Sequence, residues 1–253
     1  VVTDEGSAPA VHALSFAVSL LFLGSVVSAA DRPLRFSISD SSTMPMVRQE
    51  DGRATGGILY DLHLRIAEKL GRRADQLVMS RTRIQPLLAE GVVDVSCYMN
   101  PAWLAVDHAS YRWSVPFMTQ SSLLVARRDT PPTALTSLKG ERIGTVLGFN
   151  YPDVDASFRD GTLIRDDART ENQVLAKVAA GRDRYALSTQ VALDWFNRNQ
   201  PAERKLHSIG QLSEFSIHCL VRDEPDVPAR EILDVMQRMQ QAGEFDAILA
   251  NYR

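Results

Sequence analysis

From Leu34 onward, short apolar runs of strand type alternate with amphipathic runs of helix type, and this order constrains the fold more than any other feature of the chain. Strands separated by helices close into sheets through right-handed crossovers, which is the α/β class. In the first unit, LRFSIS (Leu34–Ser39) reads as a strand and is followed by the polar turn DSSTMPM. DLHLRIAEKLG puts Leu62, Ile66 and Leu70 on one stripe of a helix, with Asp61 near its start and Gly71 at its end. QLVMS is a second strand, RIQPLLAEG a short helix ending at Gly91, and VVDVSCYM a third strand. The result is a β-α-β-α-β unit with a parallel sheet.

A second unit repeats the scheme. SSLLVARRD and ERIGTVLG read as strands, YPDVDASF starts a helix, and TENQVLAKVAAGR is a helix with Val174, Leu175 and Val178 inward. YALSTQVALDWF gives a strand and a helix, EFSIHCLVRD a strand, and AREILDVMQRMQQAG with EFDAILANYR two closing helices. At 253 residues and 45% hydrophobic, the chain buries a full core in one or two domains. A net charge of −3 without a Lys/Arg cluster argues against a nucleic-acid partner.

Upstream, ALSFAVSLLFLGSVV (Ala13–Val27) is apolar and uncharged, and it ends in SAA before DRPLRF. That layout predicts a signal peptide over residues 1–30, cleaved near Ala30, and hence export to the periplasm. An uncleaved N-terminal anchor is the alternative, since VVTDEGSAPAVH carries no Lys or Arg. The two cysteines, Cys97 and Cys219, both lie in apolar strand-like runs. In an oxidising compartment they can bridge; two buried thiols are the other reading. No CxxC or zinc-ligand spacing occurs, so no metal or cofactor is expected.

Five segments carry a resemblance: GGILYDLHLRIAEKLG (Gly56–Gly71), LLAEGVVDV (Leu87–Val95), YRWSVPFM (Tyr111–Met118), SLKGERIGTVLGFNY (Ser137–Tyr151) and AGEFDAILANY (Ala242–Tyr252). In this order and at these separations the chain resembles the extracellular solute-binding proteins of family 3, the amino-acid-type periplasmic receptors of ABC importers. The resemblance implies a two-lobed, type II periplasmic binding protein-like fold with two crossing hinge strands. Lobe 1 would span 31–121 and 215–253, and lobe 2 would span 122–214. It also implies a monomer that captures a small solute by hinge closure and delivers it to an inner-membrane ABC permease.

Family members hold the amino-acid carboxylate with Arg in a T-x-E-R turn, and the ammonium with Asp beyond a G-R-x-D-A stretch. This chain departs at both places: Asn100-Pro101-Ala102-Trp103 replaces the first, and Ser188 and Thr189 fall at the second. The expected solute is therefore small, polar or acidic and amino acid-like, though not a standard free amino acid. Arg81 and Arg83, just past the second strand, are candidates for an acidic group, because a guanidinium fork matches a carboxylate. Tyr98 and Trp103 would give a flat apolar wall. Asp40, with Ser41 and Met44, stands at the end of the first strand, where Asp40 could take an ammonium or simply cap the turn. Phe149, Asn150 and Tyr151 lead into a helix whose free N–H groups suit an anion.

An enzyme of the cyclohexadienyl dehydratase type is disfavoured because the histidines form no constellation, with His63 and His207 expected on the surface. A sensing module that signals to a membrane partner is the second alternative.

Overall fold

The computed structural model describes residues 1–3, 32–104 and 110–252. The expected signal segment from residue 4 to residue 30 lies outside the described residues.

Strand β1 (Leu34–Ser39) is flanked in parallel by β4 (Ala74–Met79) and β5 (Val95–Met99), and helices α1 (Ile58–Lys69) and α2 (Ile84–Ala89) form the two crossovers. The beginning of α1 shows why its motif starts with glycine. Gly57 has φ 108°, and a Cβ there would lie 2.6 Å from the Met46 carbonyl oxygen. Between β1 and α1 comes a hairpin absent from the sequence reading, β2 (Arg48–Glu50) and β3 (Arg53–Gly56). Its Asp51-Gly52 turn has both residues at positive φ, the Asp-Gly hairpin signature.

The second half contributes β7 (Met118–Arg127), β8 (Arg142–Val146), β9 (Ile164–Ala168) and β10 (Tyr185–Thr189), with helices α3 (Asp155–Arg159), α4 (Glu171–Ala179) and α5 (Gln190–Arg198). The link back is β11, a 17-residue strand (Leu206–Arg222) where sequence reading found only Glu214–Asp223. Its first part pairs with β7 and its last part with β5 and β6 (Tyr111–Trp113), so the strand order runs β4-β1-β5-β11-β7-β10-β8-β9. Helices α6 (Ala229–Gln241) and α7 (Glu244–Ala250) then pack on the first half.

The cores divide accordingly. Phe36, Ile38, Leu62, Ile66, Met236 and Phe245 share one core; Val146, Val174, Leu175 and Leu193 belong to another, beyond the crossing strands β7 and β11. In the antiparallel register of β5 and β11, Cys97 opposes Cys219, and a disulfide joins them.

His63 overturns its expected surface position. It is 0% exposed, stacked on Phe36 at 4.4 Å, with Nδ1 against the Gln76 side chain at 3.1 Å. Its place follows from the helix period, since it sits one residue beyond Leu62 and three before Ile66. His207 is half-buried in β11 rather than in an exposed linker. Burial lowers the His63 pKa to about 4. An unfolded imidazole takes up a proton near pH 6.5, so the neutral buried ring contributes fully above that pH, and the contribution is lost as pH falls toward 4. The term amounts to about 3 kcal/mol. Denaturant unfolding at pH 7 and pH 4.5 should show His63→Leu with a markedly flatter acid loss than the unsubstituted chain.

Candidate functional site

A cavity of about 280 Å³ opens between the two halves of the sheet, at the ends of β5 and β10. Five aromatic side chains line it: Tyr98, Trp103, Phe149, Tyr151 and Phe215. The polar groups that matter chemically are Arg81, Glu171, Ser188 and Thr189.

Tyr98 enters the cavity because β5 is bulged. Cys97 opposes Cys219 and Met99 opposes His218, which leaves Tyr98 as the extra residue, in the left-handed region at φ 64°. A bulge re-aims the side chain at the break. Without it, strict alternation would send Tyr98 to the face opposite Cys97 and Met99. The next turn is fixed by Asn100. Its Oδ1 accepts from the Ala102 N–H at 2.9 Å, and its Nδ2 donates to the Ser216 carbonyl of β11 at 2.8 Å. Pro101 opens the short 3-10 turn Pro101–Trp103, and Trp103 meets the edge of Phe215 at 5.2 Å. The uncharged turn thus holds an aromatic wall against the crossing strand.

On the other side, Arg165 organises the Phe149–Tyr151 loop by donating from Nη2 to the carbonyls of Val146 (2.8 Å) and Phe149 (3.0 Å). Two of the expected free N–H groups are taken, and no helix starts at this turn. The Phe149 N–H is bound to the Val146 carbonyl, the Tyr151 N–H to Asp155, and α3 begins only at Asp155. Residues Phe149, Asn150 and Tyr151 do line the cavity, through their side chains and the turn. Asn150 Nδ2 donates to the Trp103 carbonyl at 2.8 Å, so the two walls are bonded to each other across the cleft.

Three charged lining residues are absent from the sequence reading, Asp153, Glu171 and Glu214, and Glu171 is the one held by several donors. It occupies the first position of α4, after Thr170, whose hydroxyl accepts from the Gln173 N–H. Three donors converge on its Oε1: Ser188 Oγ at 2.8 Å, the Thr189 N–H at 3.0 Å and Thr189 Oγ1 at 3.3 Å. Burial raises its pKa, and the hydroxyls and N–H oppose that rise. The helix N-terminus also favours a carboxylate there. Ser188 and Thr189 therefore do not replace an acid; they hold one that arrives from a different element. The cue in the sequence was the Thr170-x-x-Gln173 cap with an acid just inside it.

Arg81 lines the cavity, and burial lowers its pKa. It has no ion-pair partner among the described residues. Arg83 does not join it. Arg81–Arg83 form a 3-10 turn rather than extended chain, and Arg83 is exposed and away from the cavity wall. Asp40, Ser41 and Met44 also stand outside this cavity. Asp40 is exposed at the end of β1, Ser41 is buried against the Ser39 hydroxyl at 2.7 Å, and Met44 precedes a cis proline. Burial raises the pKa of Tyr98 and Tyr151, keeping both phenols neutral in the wall.

The sequence matches no protein-family model and no curated protein. Its fold, however, is that of the two-lobed periplasmic amino-acid-binding proteins. An ancestral arginine-binding protein bound to arginine is 19% identical, with a TM-score of 0.72 over 87% of this chain and 97% of that one. An arginine 3rd transport system periplasmic binding protein from Legionella pneumophila is 17% identical, with a TM-score of 0.68 over 87% and 99%. A histidine kinase sensor domain with similarity to periplasmic binding proteins is 19% identical, with a TM-score of 0.71 over 88% and 96%.

The bulge makes a local prediction. Because Tyr98 holds a left-handed backbone, Tyr98→Gly should be more stable than Tyr98→Ala by about 1 kcal/mol in urea unfolding, the reverse of the order in a regular strand.

Proposed function

We propose that the chain is a periplasmic substrate-binding protein of an ABC importer, a divergent member of solute-binding family 3, which captures a small ammonium-bearing, amino acid-like solute by hinge closure. The observation that carries this reading is the pair Arg81 and Glu171, which bring opposite charges to one aromatic cavity from the two sides of the cleft. Arg81 lies beyond β4 and would pair a carboxylate; Glu171 opens α4 and would pair an ammonium through Oε2, since its three bonds fall on Oε1. Both standard family charges are absent from their usual places, yet the same two tasks are served from other elements. Asp153 and Glu214 also line the cavity, so the wall carries more negative than positive groups and favours a zwitterion or a cation over a purely acidic solute.

The lobes are taken as 31–121 with 215–253, and 122–214. These limits fall inside β7 and β11, the two strands that would flex. A monomer, export through the 1–30 signal peptide and docking of the closed form on an inner-membrane permease complete the reading. A sensing role is the second reading, supported by the likeness to a histidine kinase sensor domain. The similar structures named above are binding and sensor proteins rather than enzymes.

A thermal-shift screen of amino acids, amines, dicarboxylates and aromatic acids tests the solute class, because a ligand that binds only the folded state raises the melting point by mass action. Zwitterions with long or aromatic side chains should give the largest shifts. Arg81→Leu should abolish the shift while leaving the empty protein as stable or more stable, since it removes an unpaired, desolvated charge. Glu171→Gln should weaken binding by about tenfold or more. A best hit among dicarboxylates lacking an ammonium, unaffected by Glu171→Gln, would overturn the assignment.

Acidification gives an independent check. The carboxylate of Glu171 protonates at higher pH than an ordinary glutamate. Affinity for the ammonium should therefore fall as pH drops toward the carboxylate range, and Glu171→Gln should remove that dependence in calorimetric titrations.

A further inference from the structure

The rings of the aromatic cavity are set at angles to one another. Trp103 meets the edge of Phe215 at 5.2 Å with an interplanar angle of 73°, and Tyr98 is tilted by 46° from Trp103 at 5.9 Å. Contiguous rings inclined in this way form a corner that encloses a rounded group. Phe149 lines the same cavity from the second half of the molecule. All four rings are half-buried, so each keeps part of its surface open. Tyr151, the fifth ring, is engaged elsewhere: its hydroxyl accepts from the Val146 N–H at 2.9 Å, and the Arg165 guanidinium lies over its ring at 5.4 Å.

A carboxylate stands beside this corner. The Glu171 charge acts on the Tyr98 phenol, adding to the rise in pKa that burial causes. Ser188 and Thr189 direct both hydroxyl protons to Glu171 Oε1, which fixes the negative charge next to the rings. The face of an aromatic ring is itself negative, so rings and carboxylate attract a cation together. The two further acids of the wall, Asp153 and Glu214, are exposed to water.

Two kinds of ammonium ask different things of such a wall. A primary ammonium has three N–H donors, and each needs an acceptor once water is excluded. The Glu171 carboxylate has one oxygen without a bond, Oε2, and its neighbour is the ring of Tyr98. A fully N-methylated ammonium has no N–H to satisfy. Its charge spreads over methyl groups that rest on ring faces, and the carboxylate attracts it without a hydrogen bond.

We infer that the aromatic cavity takes a quaternary ammonium zwitterion, of the betaine class. Its trimethylated head sits in the corner of Tyr98, Trp103 and Phe215 against Glu171, Phe149 covers it from the opposite wall, and its carboxylate reaches Arg81. The inference rests on the Arg81–Glu171 reading and narrows it from ammonium-bearing solutes to fully methylated ones.

Isothermal titration of the full chain with matched probes tests this: 4-(trimethylammonio)butanoate, 4-aminobutanoate and the all-carbon analogue 5,5-dimethylhexanoate. Glycine and N,N,N-trimethylglycine repeat the comparison on a shorter chain. The trimethylated probe should bind about tenfold or more tighter than the primary amine and than the carbon analogue, as expected for a desolvated cation on several rings. Trp103→Leu should lower its affinity by about tenfold, and Trp103→Phe by less, while 4-aminobutanoate changes by no more than about threefold. Glu171→Gln should weaken the trimethylated probe and leave the carbon analogue unchanged. Thermal unfolding of each unliganded variant separates a lost ring from a lost fold, and the probe series itself needs no variant. Equal or tighter binding of the primary amines overturns the inference and leaves the zwitterion reading standing. Equal binding of the carbon analogue also overturns it, since the rings then serve as plain apolar lining. Absence of heat with both trimethylated probes does so too, while the amino-acid screen with Arg81→Leu still decides the broader reading. Zwitterion binding that ignores Arg81→Leu and Glu171→Gln would sink both.

Discussion

The long antiparallel ladder of β11 holds the two halves of this molecule together. Over Leu206–Ile217 the strand is bonded to β7, and over His218–Val221 to β5, so one uninterrupted backbone serves both halves. Its partner β7 passes from the first half into the second in the opposite direction. Two crossing strands can bend together with little loss of hydrogen bonding, whereas separate linkers would let the halves drift apart. The register breaks in the β7–β11 ladder fall at Ser208/Gly210 and Gln211/Ser213. Such irregularities are the weak points of a ladder, where bending concentrates. The disulfide lies at the other end, between β5 and β11, and ties the strand to the lobe that carries Tyr98 and the Asn100–Trp103 turn. Tyr98 and the Asn100–Trp103 turn are thereby anchored at the disulfide end of the strand, with Phe215 beside them in the stretch of β11 that pairs with β7.

Charge is distributed in the cavity in an unbalanced way. Glu171 is held by three donors on one oxygen, while Arg81 has no carboxylate among the described residues. Natural interiors pair their ions, because an isolated charge loses hydration that nothing replaces. Elsewhere this chain follows the rule: buried Asp94 is met by Arg32, Arg35 and Arg222, and Asp166 by Arg142 and Lys177. A half-buried guanidinium left unmatched in a cavity is therefore the place where an anion from outside would complete the pairing, as in the proposed function.

How much of this was legible in the sequence follows from which interactions are local. The crossover helices and the strands β1, β4, β5 and β10 could be read from apolar periodicity, since burial imposes a period of two or 3.6 on each segment separately. The strand β9, IRDDA, was invisible because its residues are partly exposed and mostly charged. The first half of β11 was hidden by its polar, irregular pattern, as its partner β7 rather than a continuous core dictates its shape. The aromatic wall was readable at Tyr98, Trp103, Phe149 and Tyr151, residues adjacent to strand ends. Glu171 was not, because it meets Ser188 only through tertiary packing, 17 residues apart in sequence. Arg83 was misplaced for a local reason: the chain after β4 coils into a 3-10 turn, and i and i+2 then diverge instead of sharing a face.

The placement of the two charges on opposite walls bears directly on closure. A ligand shifts a two-state equilibrium only by its difference in affinity for the two states. Were both charges on one lobe, an open form could satisfy the whole solute and closure would gain little. With Arg81 beyond β4 and Glu171 on α4, a solute carrying both charges would be bonded at both ends only in a closed arrangement. Moving a population from 1:99 to 99:1 needs about 5.5 kcal/mol of differential binding. A charge-assisted hydrogen bond contributes about 1.5–3 kcal/mol. One such bond gained on closure, together with contacts to Phe149 and Tyr151 of the opposite wall, would bring the difference near that requirement, while the Asn150–Trp103 bond across the mouth is a contact that needs no ligand. Closure driven this way would depend on solute charge at both ends, so discrimination would rest on the final bond formed rather than on the first.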